Sequence, residues 1–340
     1  MKRPSQRTTI SDVARAAQVS LATVSLILNG RRNGDDRISD ETRQRVLRAV
    51  ASLGYVPNQT ARSLRRRKTE RVCLYVARLG VPYYDLLAQA LQQAADERGY
   101  TIIVSLGFGP AAEHRVLDQL MRGLADGVVL IRPSYLTSSD LSALARTGTA
   151  VLVHSDHLGG EGVDAVRVTE AEASYEAMEY LYAQGHRRIA FIGPAAGDPI
   201  QVPRYRSYAR FMAEHDLPVV PDMVQDDNGI SRRHAYECAQ ALLSLPSRPT
   251  AIFTGSDLAA ISAIWAIRNA GLRVPDDIAV IGSGNIPEGT IMSPPLTTIG
   301  HADLDFSVFV DFLFSRLAGN APIEGREHII PWTLIRRGSA

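Results

Sequence analysis

Thr9-Ile-Ser-Asp-Val-Ala-Arg-Ala-Ala-Gln-Val-Ser-Leu-Ala-Thr-Val-Ser-Leu-Ile-Leu-Asn-Gly30 sets two helix signatures side by side. Thr9 stands three residues before Asp12, a weak form of the capping-box spacing. Val13, Ala14 and Ala17 follow at helical spacing, and Gln18-Val19 breaks the run. Ser20 can cap a second helix whose Val24, Ile27 and Leu28 share an apolar face, with Gly30 as its stop. Two short helices across a tight turn form a helix-turn-helix pattern, whose second helix can enter a DNA major groove. The same periodicity also fits an ordinary helical hairpin in a small core.

Outward from this stretch, a polar loop over 31–37 precedes Ser39, which can cap a third helix. Val46, Leu47, Val50 and Leu53 are its apolar positions and Gly54 follows. A segment from Pro57 to Leu64 then runs into Arg65-Arg66-Arg67-Lys68, where a linker beside a phosphate backbone would sit. Charge supports a polyanionic partner. The 340 residues carry a net charge of only +1, but residues 1–71 hold 16 basic and 6 acidic side chains, a net of +10. The remainder holds 21 basic and 30 acidic, a net of −9, so the two parts should meet different partners.

Several classes drop out. No run of about 18 apolar residues exists, so no membrane span is expected. Met1 to Arg7 is basic without an apolar stretch behind it, unlike a secretory signal. Cys73 and Cys238 are the only cysteines and lack CxxC spacing, which fits a reducing cytoplasm and no disulfide or zinc scaffold. His154/His157 and His234/Cys238 have metal-compatible spacing but no further ligands nearby, so no metal is expected. Gly282-Ser-Gly-Asn-Ile-Pro lacks a third glycine, and no other motif implies a cofactor. His154-Ser155-Asp156-His157 contains the letters of a triad, yet adjacent residues of an extended chain cannot converge. An enzyme is not expected.

From Arg71 the chain alternates between strand and helix. Strand-like runs at 72–77, 101–106, 127–131 and 150–153 alternate with helical stretches near 84–98, 112–123 and 139–147. A second series places strands at 188–192, 250–254 and 278–282, with helices near 173–184, 204–215, 232–245 and 259–270. This is an α/β pattern with buried parallel sheets in two similar lobes. The division expected is a helix-turn-helix domain over 1–56, a hinge and linker over 57–70, and a two-lobed domain over 71–340. Ligands of open α/β sheets bind beyond the carboxyl ends of the strands, so the cleft between lobes is the candidate site. Strand ends nominate Tyr83, Tyr84, Arg132, Asp156, Ser256, Asp257 and Asn285, and Arg204 joins them through the family resemblance given below. Each has a plainer reading: Ser256 or Asp257 can cap the next helix, Arg204 can be a surface ion pair, and the tyrosines can be packing.

The order of words is that of a known family. Thr9-Ile-Ser-Asp-Val-Ala-Arg-Ala-Ala, Val19-Ser-Leu-Ala-Thr-Val-Ser, Leu28-Asn-Gly30, Ser39-Asp-Glu-Thr-Arg-Gln-Arg-Val, Leu53-Gly-Tyr-Val-Pro-Asn58 and Ala61-Arg-Ser-Leu64 closely resemble the head and hinge of the lactose/galactose-repressor family of bacterial transcription regulators. The resemblance implies that Leu21, Ala22 and Leu26 face base edges while Thr23 and Ser25 lie near phosphates. Ser20, Asn29, Asn58, Ala61 and Arg65 complete the implied DNA-binding set. Residues 58–64 would form a hinge helix that folds on DNA, with Leu64 wedged into the minor groove of a palindromic site. Three departures stand out: Leu26 replaces a common arginine, Gln18 replaces a turn glycine, and the loop before Ser39 runs long.

The body continues the likeness through Gly185-His-Arg-Arg-Ile-Ala-Phe-Ile-Gly193, Pro249-Thr-Ala-Ile-Phe253, Ala270-Gly-Leu-Arg-Val-Pro-Asp-Asp-Ile278, Pro294-Pro-Leu-Thr-Thr-Ile299 and Leu334-Ile-Arg-Arg-Gly-Ser339. These resemble the family's effector domain, a relative of periplasmic sugar-binding proteins. By resemblance, Arg204 matches a ligand-clamping arginine and the protein is a cytoplasmic homodimer; Ala340 ends the chain without a leucine heptad for tetramers. A repressor of a sugar or carbon-catabolic operon is implied, with double-stranded operator DNA and a sugar or sugar derivative as partners. The pair of adjacent aspartates common in sugar-responsive members is replaced by Ile281-Gly-Ser-Gly-Asn285, and Ser256 stands where asparagine is common. A nucleoside, an acidic sugar or a phosphorylated ligand stays open, given Arg132, Arg204 and Arg206. So do a regulator that has lost its ligand and a small-molecule-binding or catalytic α/β protein with a vestigial head.

Overall fold

The computed structural model describes residues 8–28, 38–56, 68–194, 203–227 and 232–340, and among these the head has three helices. They are α1 (Ile10–Ala17), α2 (Leu21–Leu28) and α3 (Asp40–Leu53). Local chemistry starts each one. The Asp12 carboxylate accepts from the Thr9 backbone N–H at 3.0 Å and from its hydroxyl at 2.7 Å. Ser20 Oγ accepts from Thr23 N at 3.1 Å, and Ser39 Oγ from Thr42 N at 3.3 Å. α1 and α2 meet at 105°, within the usual range for a helix-turn-helix. Gln18 carries the turn in the left-handed region, at φ 53°. The core is Val13, Ala14, Ala17, Val24, Ile27, Val46 and Ala49, and Arg45 Nε closes it by donating to Ala17 O at 2.8 Å. Leu47 and Leu53, expected on the apolar face of α3, are exposed instead. Val46 and Ala49, three apart, occupy the buried face, and Leu47 lies a further 100° or so around the helix.

The chain divides into two compact units between Thr69 and Glu70. The second contains two six-stranded sheets. The first sheet draws on β1 (Arg71–Val76), β2 (Thr101–Leu106), β3 (Gly127–Ile131), β4 (Ala150–His154) and β5 (Val163–Val168), and on β11 (Glu327–Ile330) from near the end of the chain. Its order is β11-β5-β4-β3-β1-β2, parallel throughout. The second sheet draws on β6 (Ile189–Ile192), β7 (Val224–Gln225), β8 (Ala251–Thr254), β9 (Ala279–Ser283), β10 (Thr297–Gly300) and β12 (Thr333–Ile335). Its order is β12-β10-β9-β8-β6-β7, with only β12 antiparallel. Helices α4 (Pro82–Arg98), α5 (Pro110–Met121) and α6 (Ser138–Arg146) connect the first lobe. Helices α7 (Glu170–Ala183), α8 (Pro203–Glu214), α9 (Arg232–Leu243), α10 (Asp257–Asn269) and α11 (Glu288–Ile291) serve the second.

The chain passes between sheets three times: from β5 into α7, from β10 into α12 (Ser307–Leu317), and from β11 into β12. Each passage is braced. Asp164 of β5, with no exposed surface, accepts from Arg316 Nη2 at 2.7 Å, Arg326 Nη2 at 2.7 Å and Arg326 N at 2.9 Å. Burial alone would raise its pKa, yet the two guanidinium groups hold it below the ordinary aspartate value. Trp332, between β11 and β12, donates from its backbone N to Thr169 Oγ1 at 2.8 Å.

Candidate functional site

On the head, α2 turns two unlike faces outward and inward. Val24 and Ile27 are buried, while Leu21 is 50% exposed, Ala22 is exposed and Leu26 is half-buried. Exposed leucine and alanine beside a capped helix start can contact thymine methyls, though neither can hydrogen-bond a base. The Ser20 and Thr23 hydroxyls lie 2.9 Å apart within the cap, close to where phosphates would approach a helix N-terminus. Ser25 is half-buried. Asn29, Asn58, Ala61, Leu64 and Arg65 lie outside the described residues, as does most of the expected hinge.

In the body, a cavity of about 380 Å3 opens between the lobes. Tyr83, Tyr84, Arg132, Ser256 and Asp257, nominated from strand ends, line it, as does Arg204, nominated from the family resemblance. Tyr83 is largely packed, edge-on to Phe306 with ring centroids 5.1 Å apart. Ser256 Oγ accepts from Ala259 N at 3.1 Å and so caps α10, the plainer of its two readings, while still facing the cavity.

Two expected residues are not in the cavity wall. Asn285 is 7% exposed and fully engaged: its Nδ2 donates to His301 O at 2.9 Å and Ala302 O at 3.2 Å, and its Oδ1 accepts from Arg337 Nη2 at 2.6 Å. A side chain that both donates and accepts is here a brace on the second passage between lobes. Asp156 is exposed, because the turn after β4, pinned by Leu158 N donating to Ser155 Oγ at 3.3 Å, carries it out of the wall. Arg206 is exposed and also outside the wall.

Behind the cavity wall, two of its arginines meet on a residue the sequence reading passed over. Glu170, 1% exposed at the first turn of α7, pairs through one oxygen with Arg132 Nη2 and through the other with Arg204 Nε. Burial would raise its pKa, but the two arginines outweigh that and lower it. Arg132 keeps its charge despite burial because Glu170 raises its pKa, with smaller help from Tyr84 and Asp156. Its backbone sits at φ 48°, an unusual conformation that other contacts must hold, and its N–H donates to His154 O at 2.9 Å. Arg204 Nη1 donates to Gly255 O.

Several wall residues were missed, His154 and Trp332 among them. His154 is 2% exposed, with Nδ1 3.0 Å from Val166 O. Burial and then Arg132 push its pKa down to about 4, so the ring is neutral. Trp332 lines the cavity, with the Arg204 guanidinium 5.3 Å from its ring centroid. Glu170 and Trp332 carry no local motif. His154 stood in view only as part of a discarded triad and a discarded metal pair.

Asp257 faces the opposite problem to Glu170. Burial lifts its pKa to about 6, offset in part by Thr298 Oγ1 at 2.5 Å and Ile286 N at 2.8 Å. A Cβ on Gly282 would lie 2.2 Å from Asp257 Oδ1, so the glycine of the Ile281-Gly-Ser-Gly run makes room for this carboxylate.

Residues 9–58 match the family described as bacterial regulatory proteins, lacI family, and residues 178–340 match a periplasmic binding protein-like domain. The HTH-type transcriptional repressor PurR of Histophilus somni (strain 129Pt) is 32% identical over 336 residues, which is 97% of this chain and 98% of its own. The chain belongs to the lacI family. The ribose operon repressor of Escherichia coli (strain K12) is 31% identical over 98% of this lacI-family chain and 99% of its own. A crystal structure of the lac repressor dimer bound to operator and the anti-inducer ONPF matches with a TM-score of 0.75 and 25% identity, covering 98% of this chain and 99% of that one. This lacI-family member is a DNA-binding transcriptional regulator with an effector-type domain, and the reading as a catalytic protein with a vestigial head is not favoured. Among the described residues, no helix is long and apolar enough to cross a membrane alone.

Proposed function

We propose that this regulator is a homodimeric, cytoplasmic repressor of an operon for sugar or other carbon use. It reads a palindromic site through α2 and is governed by a small molecule in the cavity between lobes. The observation that carries this reading is the exposed Leu21–Ala22 edge of a helix that buries Val24 and Ile27 on its other side. A large apolar residue left exposed at a capped helix start is costly in water and useful against base edges in a groove. Support for the operon comes from the ribose operon repressor and for operator DNA from the lac repressor complex.

The dimer rests on a second exposed strip. β2 is an edge strand, and Val104, Leu106 and Phe108 are exposed along and just beyond it. A bare apolar edge invites pairing unless something covers it, and a second copy would do so. Effector control rests on Arg132 and Arg204, wall residues of opposite lobes that Glu170 joins from behind, so a ligand against them alters the contact between lobes. Selection of tight binders from random-sequence duplex DNA tests the whole reading. Enrichment of a two-fold symmetric sequence is expected; recovery of asymmetric or unrelated sequences would refute it.

A further inference from the structure

The polar groups of the cavity are unevenly spent. Its buried carboxylate is already used, since the Asp257 oxygens hold Thr298 Oγ1 and Ile286 N, and Glu170 lies behind the wall with both oxygens on arginines. Asp227, also in the wall, is engaged as well. Donors remain. Arg78 from the first lobe and Arg232 from the second line the cavity, and neither has an acidic partner among the described residues. The N-termini of α4 and α10 open into the same space from opposite lobes, and α4 has no side-chain cap. Each such terminus carries roughly half a positive charge. An independent sign of a missing partner is Trp332. It is 6% exposed in the cavity wall, and its indole N–H has no hydrogen-bond partner among the described residues. A buried donor left unpaired is costly until something accepts from it.

Every hydroxyl of a neutral sugar brings a proton that needs an acceptor, whereas an ionised carboxylate or phosphate brings mainly acceptors. A wall rich in donors and short of acceptors therefore selects the second kind of group. We propose that the effector of this chain is an anionic small molecule, whose carboxylate or phosphate meets Arg78 and Arg232 where α4 and α10 begin. The inference rests on the reading of the cavity as the effector site and narrows the class of molecule it takes. Arg132 and Arg204 stay with Glu170 and position the lobes, leaving the outer pair to read the charge.

Trp332 is also the reporter for the test. The chain has two tryptophans, and Trp265 is half-exposed on α10, so Trp265→Phe in the full chain leaves Trp332 alone to signal binding in the cavity. Its fluorescence is titrated with glucose, ribose, their monophosphates, glucuronate and inorganic phosphate. At least one charged sugar is expected to bind roughly tenfold or more tightly than its neutral parent, an advantage shrinking with added salt. Glucuronate against the monophosphates tells which anion is preferred. Arg78→Gln with Arg232→Gln is expected to remove most of that preference while the melting temperature, reporting the fold, stays unchanged. Neutral sugars binding as tightly as their charged forms would overturn the inference and leave the cavity standing as the effector site. Inorganic phosphate binding as tightly as the monophosphates would mean an adventitious ion only and would overturn it too. No response to any member of the set would count against both readings.

Discussion

Arg132 of the first lobe and Arg204 of the second are held by opposite oxygens of one buried carboxylate, that of Glu170. Removing the shared charge leaves two largely buried guanidinium groups facing each other. Breaking a buried ionic contact in this way costs about 3–5 kcal/mol. Glu170→Gln is therefore expected to lower the thermal midpoint of the full chain by several degrees. Arg204→Gln, which leaves Glu170 paired with Arg132, is expected to cost less. Equal melting of native and Glu170→Gln proteins by calorimetry would show that the pairing does not hold the lobes.

Acid should act through the same kind of group. Glu170 and Asp164 both have pKa values lowered in the folded chain, by Arg132 and Arg204 and by Arg316 and Arg326 respectively, against the opposing effect of burial. A depressed carboxylate contributes stability that is fully present above its unfolded pKa and is lost as pH falls through the folded one. Stability is expected to fall steeply below about pH 4, near the unfolded carboxylate values. Denaturant melts at stepped pH check this, and Asp164→Asn should flatten the acid limb. A limb of unchanged slope in that variant would assign the effect elsewhere.

Gln18 occupies a left-handed position that glycine adopts without strain. A non-glycine residue there costs about 1–2 kcal/mol. Gln18→Gly is expected to recover about 1 kcal/mol of that in the head. Hydrogen exchange of the Val13 and Ala17 amides in the full chain would slow by roughly fivefold. Faster exchange would mean that the glutamine side chain makes a compensating contact.

How much was legible in the sequence depended on how local the interaction was. Thr9, Ser20 and Ser39 could be read as helix starts because a cap is made within three residues. The central strands showed as apolar runs. β5 did not, because its second residue is the charged Asp164, tolerated only by two arginines from more than 150 positions away. β11 and β12 are too short for any period to show. At the cavity, strand-end logic found Arg132 and the family resemblance found Arg204, but neither found Glu170 behind them, whose role exists only once three passages of the chain bring both lobes around it. Asn285 lies outside the wall because an amide fit to bind a hydroxyl is equally fit to brace two backbone carbonyls.

Leu26, half-buried on α2, stands where an arginine is common in the family. Leu26→Arg would supply a bidentate donor for guanine, worth about 1–3 kcal/mol of discrimination at one base pair. Selection with this variant is expected to yield a site with guanine gained at one position in each half and the rest unchanged. An identical selected sequence would place Leu26 away from the bases.

The most direct measurement is the ratio of affinities of the full chain for its selected palindrome and for random duplex of the same length, at one fixed salt concentration. A ratio above roughly a hundred is expected for a sequence-specific regulator. A ratio near one would contradict it, leaving the +10 head as a general polyanion binder rather than a reader of sequence.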